Sequence, residues 1–301
     1  MSKNTLMKMI FGAAVLMTFV ACTQDELTEQ AGILPEGKYP LQIGSVSITA
    51  DVDAQPWSAG APQTRVSENP DGNSSRWDYW DEIGVQIEGS TKSGIYNWLW
   101  DYKWHSLTPV YWENTQAHKV RAWFPADGNV ALDNQTTDLA YALYAETAEA
   151  VDYKAGEISL SFNHKLAKVR VKLTGDQAGD ITDVKIKTYT SCTLDEDGTL
   201  KAVGTEDFIP MVKASYNGET FWEANVVPVS DEIPDYKIER VKVNDKEITL
   251  SKPLAPLEAK VNTITLKMKS IVPEDANINT GDTLDKTVEY DANGNGTEQS
   301  Q

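Results

Sequence analysis

The chain has 301 residues, 41% hydrophobic and 24% charged, with 45 acidic against 27 basic side chains and a formal charge of −18. That imbalance repels polyphosphate and anionic lipid headgroups, and no basic cluster offsets it, so nucleic acid is not expected as a partner. The only cysteines are Cys22 and Cys192, too few for a disulfide framework, so stability must come from packing and strand pairing.

Lys3 and Lys8 give the chain a cationic start, and Met9 to Val20 form an apolar run too short to span a bilayer. Phe19-Val20-Ala21-Cys22 then reads as a lipobox with a small residue before the cysteine. Residues 1–21 are therefore expected to be a lipoprotein signal peptide, removed after a diacylglyceryl group is placed on the Cys22 sulfur. Several acyl chains, at about 0.8 kcal/mol per buried CH₂, make such an anchor effectively permanent. The alternative is an ordinary cleaved signal whose junction contains a cysteine, since Phe19 stands where leucine is usual. Loss of Lys3 and Lys8 takes the net charge from −18 to −20.

Residues 22–38 are polar and acidic without apolar periodicity, and predict a flexible tether. Leu41, Ile43, Val46 and Ile48 mark a first strand whose alternation slips at Gly44-Ser45, which suggests a bulge. From Asp53 to Ser75 a loop rich in Pro, Gly, Ser and Asn contains Thr64-Arg65. Ile83, Val85 and Ile87 share one face of the next strand. Tyr96, Trp98, Trp100, Tyr102 and Trp104 then occupy every second position, so a single strand would project all five rings from one face. Such a stripe is either the inner wall of a sandwich or a platform for sugars, with Trp98, Trp100 and Trp104 as the candidate glycan contacts.

Val110 to Trp112, Val120 to Phe124 and Gly156 to Leu173 are further strand candidates, while the Ala-rich stretch Thr136 to Ala150 suits a short helix or a loop. A second set of strands runs from Ile181 to Met268, punctuated by Asp197-Gly198, Asn217-Gly218 and Asn244-Asp245. There is no long amphipathic helix and no βαβ alternation, so the fold class is all-β, built as antiparallel sandwiches. From Pro273 onward the sequence is polar, with only Val288 and Tyr290 in alternation.

Signatures of catalysis are missing. His105, His118 and His164 lack metal-ligand spacing, and no HExxH, CxxC, Walker or GxSxG pattern occurs. Asp291-Ala292-Asn293-Gly294-Asn295-Gly296 opens like an EF-hand loop but lacks its closing acid. Cys192 reads as a buried strand thiol. No enzymatic activity, catalytic residue, metal or cofactor is expected.

The motif Trp-x-x-x-Asp-x-Ile-Gly-Val at Trp77 to Val85, preceded by Thr64-Arg65, resembles the fimbrillin-like proteins of Bacteroidales. Tyr111-Trp112 with Val120-Arg121-Ala122-Trp123-Phe124-Pro125 is similar to that family's aromatic-Pro corner, and Phe162-Asn163-His164-Lys165-Leu166-Ala167-Lys168-Val169 to its Phe-x-His-x-Leu-Ala-Lys-Val strand. Val261 to Leu266 is similar to its closing strand, without the usual preceding glycine. The resemblance implies two transthyretin-like β-sandwich domains. With the boundary at the Gly175 and Gly179 turn, these are 39–176 and 177–270, followed by a polar tail at 271–301.

It also implies a type V pilus, with a tip or accessory subunit favoured over a stalk unit because the tail lacks a long apolar alternation. The partners implied are other fimbrial subunits joined by β-strand addition, the outer membrane through lipid on Cys22, and a ligand on a host or bacterial surface. The implied location is the cell surface or fimbrium. In the family it resembles, a trypsin-like protease cuts after an arginine beyond the first strand, which another subunit's strand then replaces. Arg65 fits that position; the alternative is a solvated loop arginine. A surface glycan-binding lipoprotein using the Tyr96 to Trp104 aromatics is the second functional expectation, and a secreted hydrolase using paired acids a third.

Overall fold

Alternating apolar residues build strands almost throughout the computed structural model, which describes residues 32–48, 67–68, 75–175, 178–216, 218–269, 272–280, 287–290 and 296–299. The first half supplies β1 (Gln42–Ile48), the short pair β2 (Ser67–Glu68) and β3 (Ser75–Arg76), and β4 (Glu82–Ile87). It continues with β5 (Ser93–Trp98), β6 (Trp104–Thr108), β7 (Val120–Phe124), β8 (Asn129–Ala131), β9 (Leu143–Glu146) and β10 (Glu157–His164). After it come β11 (Ala167–Thr174), a 3₁₀ turn at Ala178–Asp180, β12 (Val184–Leu194), β13 (Leu200–Pro210) and β14 (Val212–Tyr216). The chain then forms β15 (Glu219–Val226), β16 (Ile238–Val243), β17 (Lys246–Leu254), β18 (Val261–Lys269), β19 (Val272–Thr280), β20 (Thr287–Tyr290) and β21 (Gly296–Gln299). The protein is all-β.

One seven-stranded sheet has the order β1-β10-β9-β7-β4-β5-β6. Its two edges meet through the N-terminal segment. Leu41 N donates to Val110 O at 2.8 Å and Trp112 N to Tyr39 O at 2.9 Å, so residues 39–41 run antiparallel to the chain after β6. Residues 42–48 then run parallel to β10, with a register shift between Ile43 and Ser45 where the sequence anticipates a bulge. Inside lies an aromatic-rich core that includes Ile83, Val85, Tyr96, Trp104, Trp112 and Phe162.

The second core is largely aliphatic and lies under strands of two other sheets, β14-β15-β11-β18-β19-β20-β21 and β13-β12-β16-β17. Here too one pair, β11 with β18, is parallel. Two strands upstream of residue 176 pair with strands downstream of it: β11 with β15 and β18, and β8 with the end of β12. Trp123, Val130, Leu132 and Ala142 accordingly pack in the second core, not the first. Gln135, with no exposed surface, ties the halves further. Its amide nitrogen donates to Leu132 O (3.0 Å) and Asn225 O (2.8 Å), while its oxygen accepts from Ala140 N (3.0 Å) and Asn225 N (2.9 Å).

Several motifs acquire physical reasons. Gly84 faces Trp123 across the β4–β7 pair, and a Cβ there would lie 2.2 Å from the indole, so only glycine admits the ring. The His164-containing segment carries the chain from β10 to β11, breaking the long Gly156 to Leu173 stretch at Lys165-Leu166. Asp195 to Gly198 and Asn244-Asp245 form hairpin turns, the latter with φ of 42° and 66°.

Several regions differ from expectation, the end of the expected tether among them, since Leu34 is buried in the first core and its N donates to Glu113 O at 2.9 Å. Thr136 to Ala150 contains β9, sandwiched between β7 and β10, because burying Leu143 and Ala145 in a central strand outweighs the helix preference of alanine. Beyond Lys269, Val272–Thr280 forms β19 antiparallel to β18, and main-chain pairing extends the sheet through β20 and β21 despite the polar sequence.

Candidate functional site

The first strand and the aromatic hairpin adjoin through Tyr96. Leu41 and Ile43 bury their side chains in the first core, and Tyr39 meets Tyr153 edge to face at 5.0 Å. The Tyr96 hydroxyl donates to Leu41 O at 3.0 Å and accepts from Val110 N at 3.4 Å, joining the N-terminal segment to the strand it pairs with. Burial raises the pKa of this phenol, so it keeps its proton and remains a donor. Along β10, Ser45 Oγ donates to Ser159 Oγ at 2.7 Å and Ser47 Oγ to Ser161 Oγ at 3.4 Å. This segment therefore satisfies two otherwise open edges, one on each side. Cys22, the expected lipid site, and Arg65, the candidate cleavage site, both lie outside the described residues.

The five-ring stripe does not lie on one strand. β5 ends at Trp98 and β6 begins at Trp104, with a tight hairpin between them. Trp98 and Trp104 sit directly opposite each other, so period-two alternation runs unbroken through the turn; that is why the sequence reads as a single strand. Trp104 is buried and Trp98 half-buried, whereas Trp100 is 72% exposed and Tyr102 70%. Of the three candidate glycan contacts, only Trp100 stands out into solvent.

The rings form a ladder from core to surface. Phe162 meets Trp77 at 5.1 Å, Trp77 meets Trp104 at 5.0 Å, Trp104 meets Trp98 at 5.5 Å and Trp98 meets Tyr102 at 6.3 Å. Tyr79, at 5.9 Å from Tyr102, continues it, and the hydrogen bond it shares with Tyr102 favours its protonated form and raises the Tyr79 pKa. Among the described residues, the buried indole N–H groups of Trp77 and Trp104 have no hydrogen-bond partner.

The backbone holds this tip in unusual conformations. Asp81 N donates to Asp78 O at 3.1 Å, closing a turn whose third residue, Trp80, has φ 75° and is 65% exposed. Trp80 N donates to Trp98 O at 2.8 Å and Trp98 N to Asp81 O at 2.9 Å, pinning that turn to the hairpin. In the hairpin, Tyr102 N donates to Leu99 O at 2.9 Å and Leu99 N to Lys103 O at 3.1 Å, with Tyr102 at φ 59°. Turns of this kind ordinarily place glycine at both positions. Such strain costs about 1–3 kcal/mol per residue, and neither exposed ring recovers it by full burial. Trp80 also lines a cleft of about 720 Å³ with Asp81, Asn129, Asn134, Asp138 and Tyr141. The sequence pattern did not single out Tyr79 and Trp80; the signal available was two aromatics between aspartates in Asp78-Tyr79-Trp80-Asp81.

The titratable groups singled out in the sequence are dispersed. His105 Nε2 lies 2.9 Å from Asp101 Oδ2, His118 Nε2 lies 3.0 Å from Asn114 Oδ1, and His164 stacks obliquely on Tyr141. Burial, reinforced by the Lys168 charge, pushes His164 down to about 3, while burial pushes the Cys192 thiol up to about 12. A thiol so resistant to ionisation is a packing group. No cluster of three or more metal-ligating side chains occurs among the described residues.

The fold is similar to that of a candidate cell adhesion protein from Bacteroides ovatus, with a TM-score of 0.52 at 13% identity over 79% of this chain and 96% of that one. A second candidate cell adhesion protein, from Bacteroides uniformis, is similar with a TM-score of 0.49 at 16% identity, over 68% of this chain and 93% of that one. A fimbrial protein from Bacteroides ovatus gives 0.42 at 13% identity over 83% and 56%, respectively. No curated protein matches the sequence. Residues 64–289, most of the chain, match the family described as fimbrillin-like, and the chain belongs to the fimbrillin-like family.

Proposed function

We propose that the protein is a non-enzymatic adhesion subunit of a fimbrial structure, exported to the cell surface and held on the outer membrane by lipid on Cys22. Within that role it is a tip or accessory subunit of a type V pilus. The observation that carries the proposal is the N-terminal segment, which closes two edges while burying Leu41 and Ile43. Cleavage after Arg65 would leave that segment attached by noncovalent contacts alone. Its departure would expose unpaired backbone on β10 and on residues 110–112, together with an apolar groove, and a strand of another subunit could restore both by β-augmentation. Pairing of Val272–Thr280 with β18 inside the same chain supports an accessory place, because that strand already has a partner.

The test is limited trypsin digestion of the purified full chain, followed by amino-terminal sequencing and sizing. The expected outcome is a new terminus at Val66, release of the segment containing Leu41 to Ile48, and assembly into multimers. A cut protein that retains the segment and stays monomeric would overturn strand exchange. Lipid on Cys22 is checked by labelling with a palmitate analogue, where label that persists in Cys22→Ala refutes the anchor.

A further inference from the structure

We infer that the aromatic tip formed by Tyr79, Trp80, Trp100 and Tyr102, with the cleft beside Trp80, is a binding site for a neutral oligosaccharide. Two adjoining turns place large aromatics where glycine is ordinarily used, and both rings stand mostly in solvent. Folding alone gains little from that choice: glycine would relax each turn without opening the core. The Tyr102 ring is nevertheless held in place, because it contacts Tyr79 and also Trp98, which rests on buried Trp104. A preorganised ring surface loses little freedom on binding.

The chemistry of the surroundings selects the occupant. Pyranose rings present C–H groups of slight positive charge, which suit the negative faces of indole and phenol. Their hydroxyls donate to carboxylates and exchange hydrogen bonds with carboxamides. Trp80, whose turn is pinned to the hairpin, also lines the cleft, whose wall carries the exposed Asp138, Asn129 and Asn134. Trp80 thus offers a stacking face at the mouth of a cleft able to recognise hydroxyls. At about 720 Å³, the cleft lies within the roughly 300–1,000 Å³ typical of small-ligand sites.

Charge rules against anionic occupants. Asp78, Asp81, Glu82 and Asp101 adjoin these aromatics in sequence on a chain of net charge −18, and although Asp78 pairs with Arg76 and Asp101 with His105, that balance disfavours sialylated or sulfated glycans and anionic lipid. A second copy of the chain would bring the same charge to the contact.

The inference rests on the adhesive reading above only for its biological setting, and binding in solution is measured apart from fimbrial incorporation. The full chain is applied to an array of neutral plant and host oligosaccharides, with sialylated and sulfated glycans and choline as competing arms. The best neutral oligosaccharide is then titrated calorimetrically. Trp80→Ala and Trp100→Ala should each weaken it at least tenfold, and Val203→Ala, on an exposed site in the second half, should leave it unchanged. Tyr102→Gly separates folding from binding, since it should raise the melting temperature while losing affinity. Absence of neutral-glycan binding, preference for the anionic glycans or choline, or full affinity in the folded Trp80 and Trp100 variants overturns the site. Incorporation of the same variants into fimbriae is scored independently, so loss of glycan binding with normal incorporation leaves the fimbrial reading intact.

Discussion

The junction between the halves and the tip of the aromatic hairpin treat polar and strained groups in opposite ways. At the junction, Gln135 is wholly buried and both ends of its amide are hydrogen-bonded, while Asn225 Nδ2 donates to Ala140 O at 2.7 Å. Nearby strands are exchanged, β8 pairing with β12 and β11 with β18. The tip instead keeps strained aromatic residues in solvent at Trp80 and Tyr102. Side chains at the junction therefore serve folding, whereas those at the tip are retained at a cost to it. A residue's worth to stability is thus a guide to what it is for.

The largest effect that would sharpen this contrast is at Gln135. Gln135→Ala leaves two carbonyls and two amides of the junction without their partner and should destabilise the protein by about 3 kcal/mol or more. The guanidinium unfolding midpoint measures it, and a loss below about 1 kcal/mol would mean the junction is not the fold's polar keystone.

An intermediate effect comes from His164, where the chain crosses between the halves. Its folded pKa of about 3 lies below the unfolded value near 6.5, so the unfolded chain takes up the proton first as pH falls. The neutral ring's contribution is fully present above pH 6.5 and is lost at up to about 1.4 kcal/mol per pH unit below it, levelling off near the folded pKa. Between about pH 6.5 and 5, before most carboxylates titrate, His164→Gln should flatten the stability profile. Equal slopes for the two proteins would remove His164 as the cause.

The smallest effect has the opposite sign. Tyr102→Gly relieves a left-handed conformation worth about 1–2 kcal/mol but adds unfolded-state freedom, for a net gain of about 0.5–1 kcal/mol. Thermal unfolding should show a rise of a few degrees. A fall would erase the distinction between the two regions.

Much of the fold was legible in the chain. Leu41, Ile43, Val46 and Ile48 disclosed the first strand, and Gly44-Ser45 its bulge, because one extra residue in a paired strand shifts a period-two pattern by a single position. The motifs around Gly84, Trp123 and His164 disclosed the family. The tip was misread because Trp98 and Trp104 fall in register across a turn that preserves alternation. β9 was hidden because alanines gain their strand preference from neighbours, and Gln135 because a glutamine in a polar loop carries no mark of burial.

Local order and chemical class follow from the sequence itself: the all-β character, the acidic surface and the resemblance to fimbrillin-like proteins arise from composition, alternation and short motifs that no distant contact can alter. Tertiary structure alone decided which strands share a sheet, which aromatics are core, and which stand exposed at positive φ. Those outcomes depend on residues far apart in the chain, such as Leu41 with Tyr96 and Gln135 with Asn225, whose meeting is set by packing rather than by any local preference.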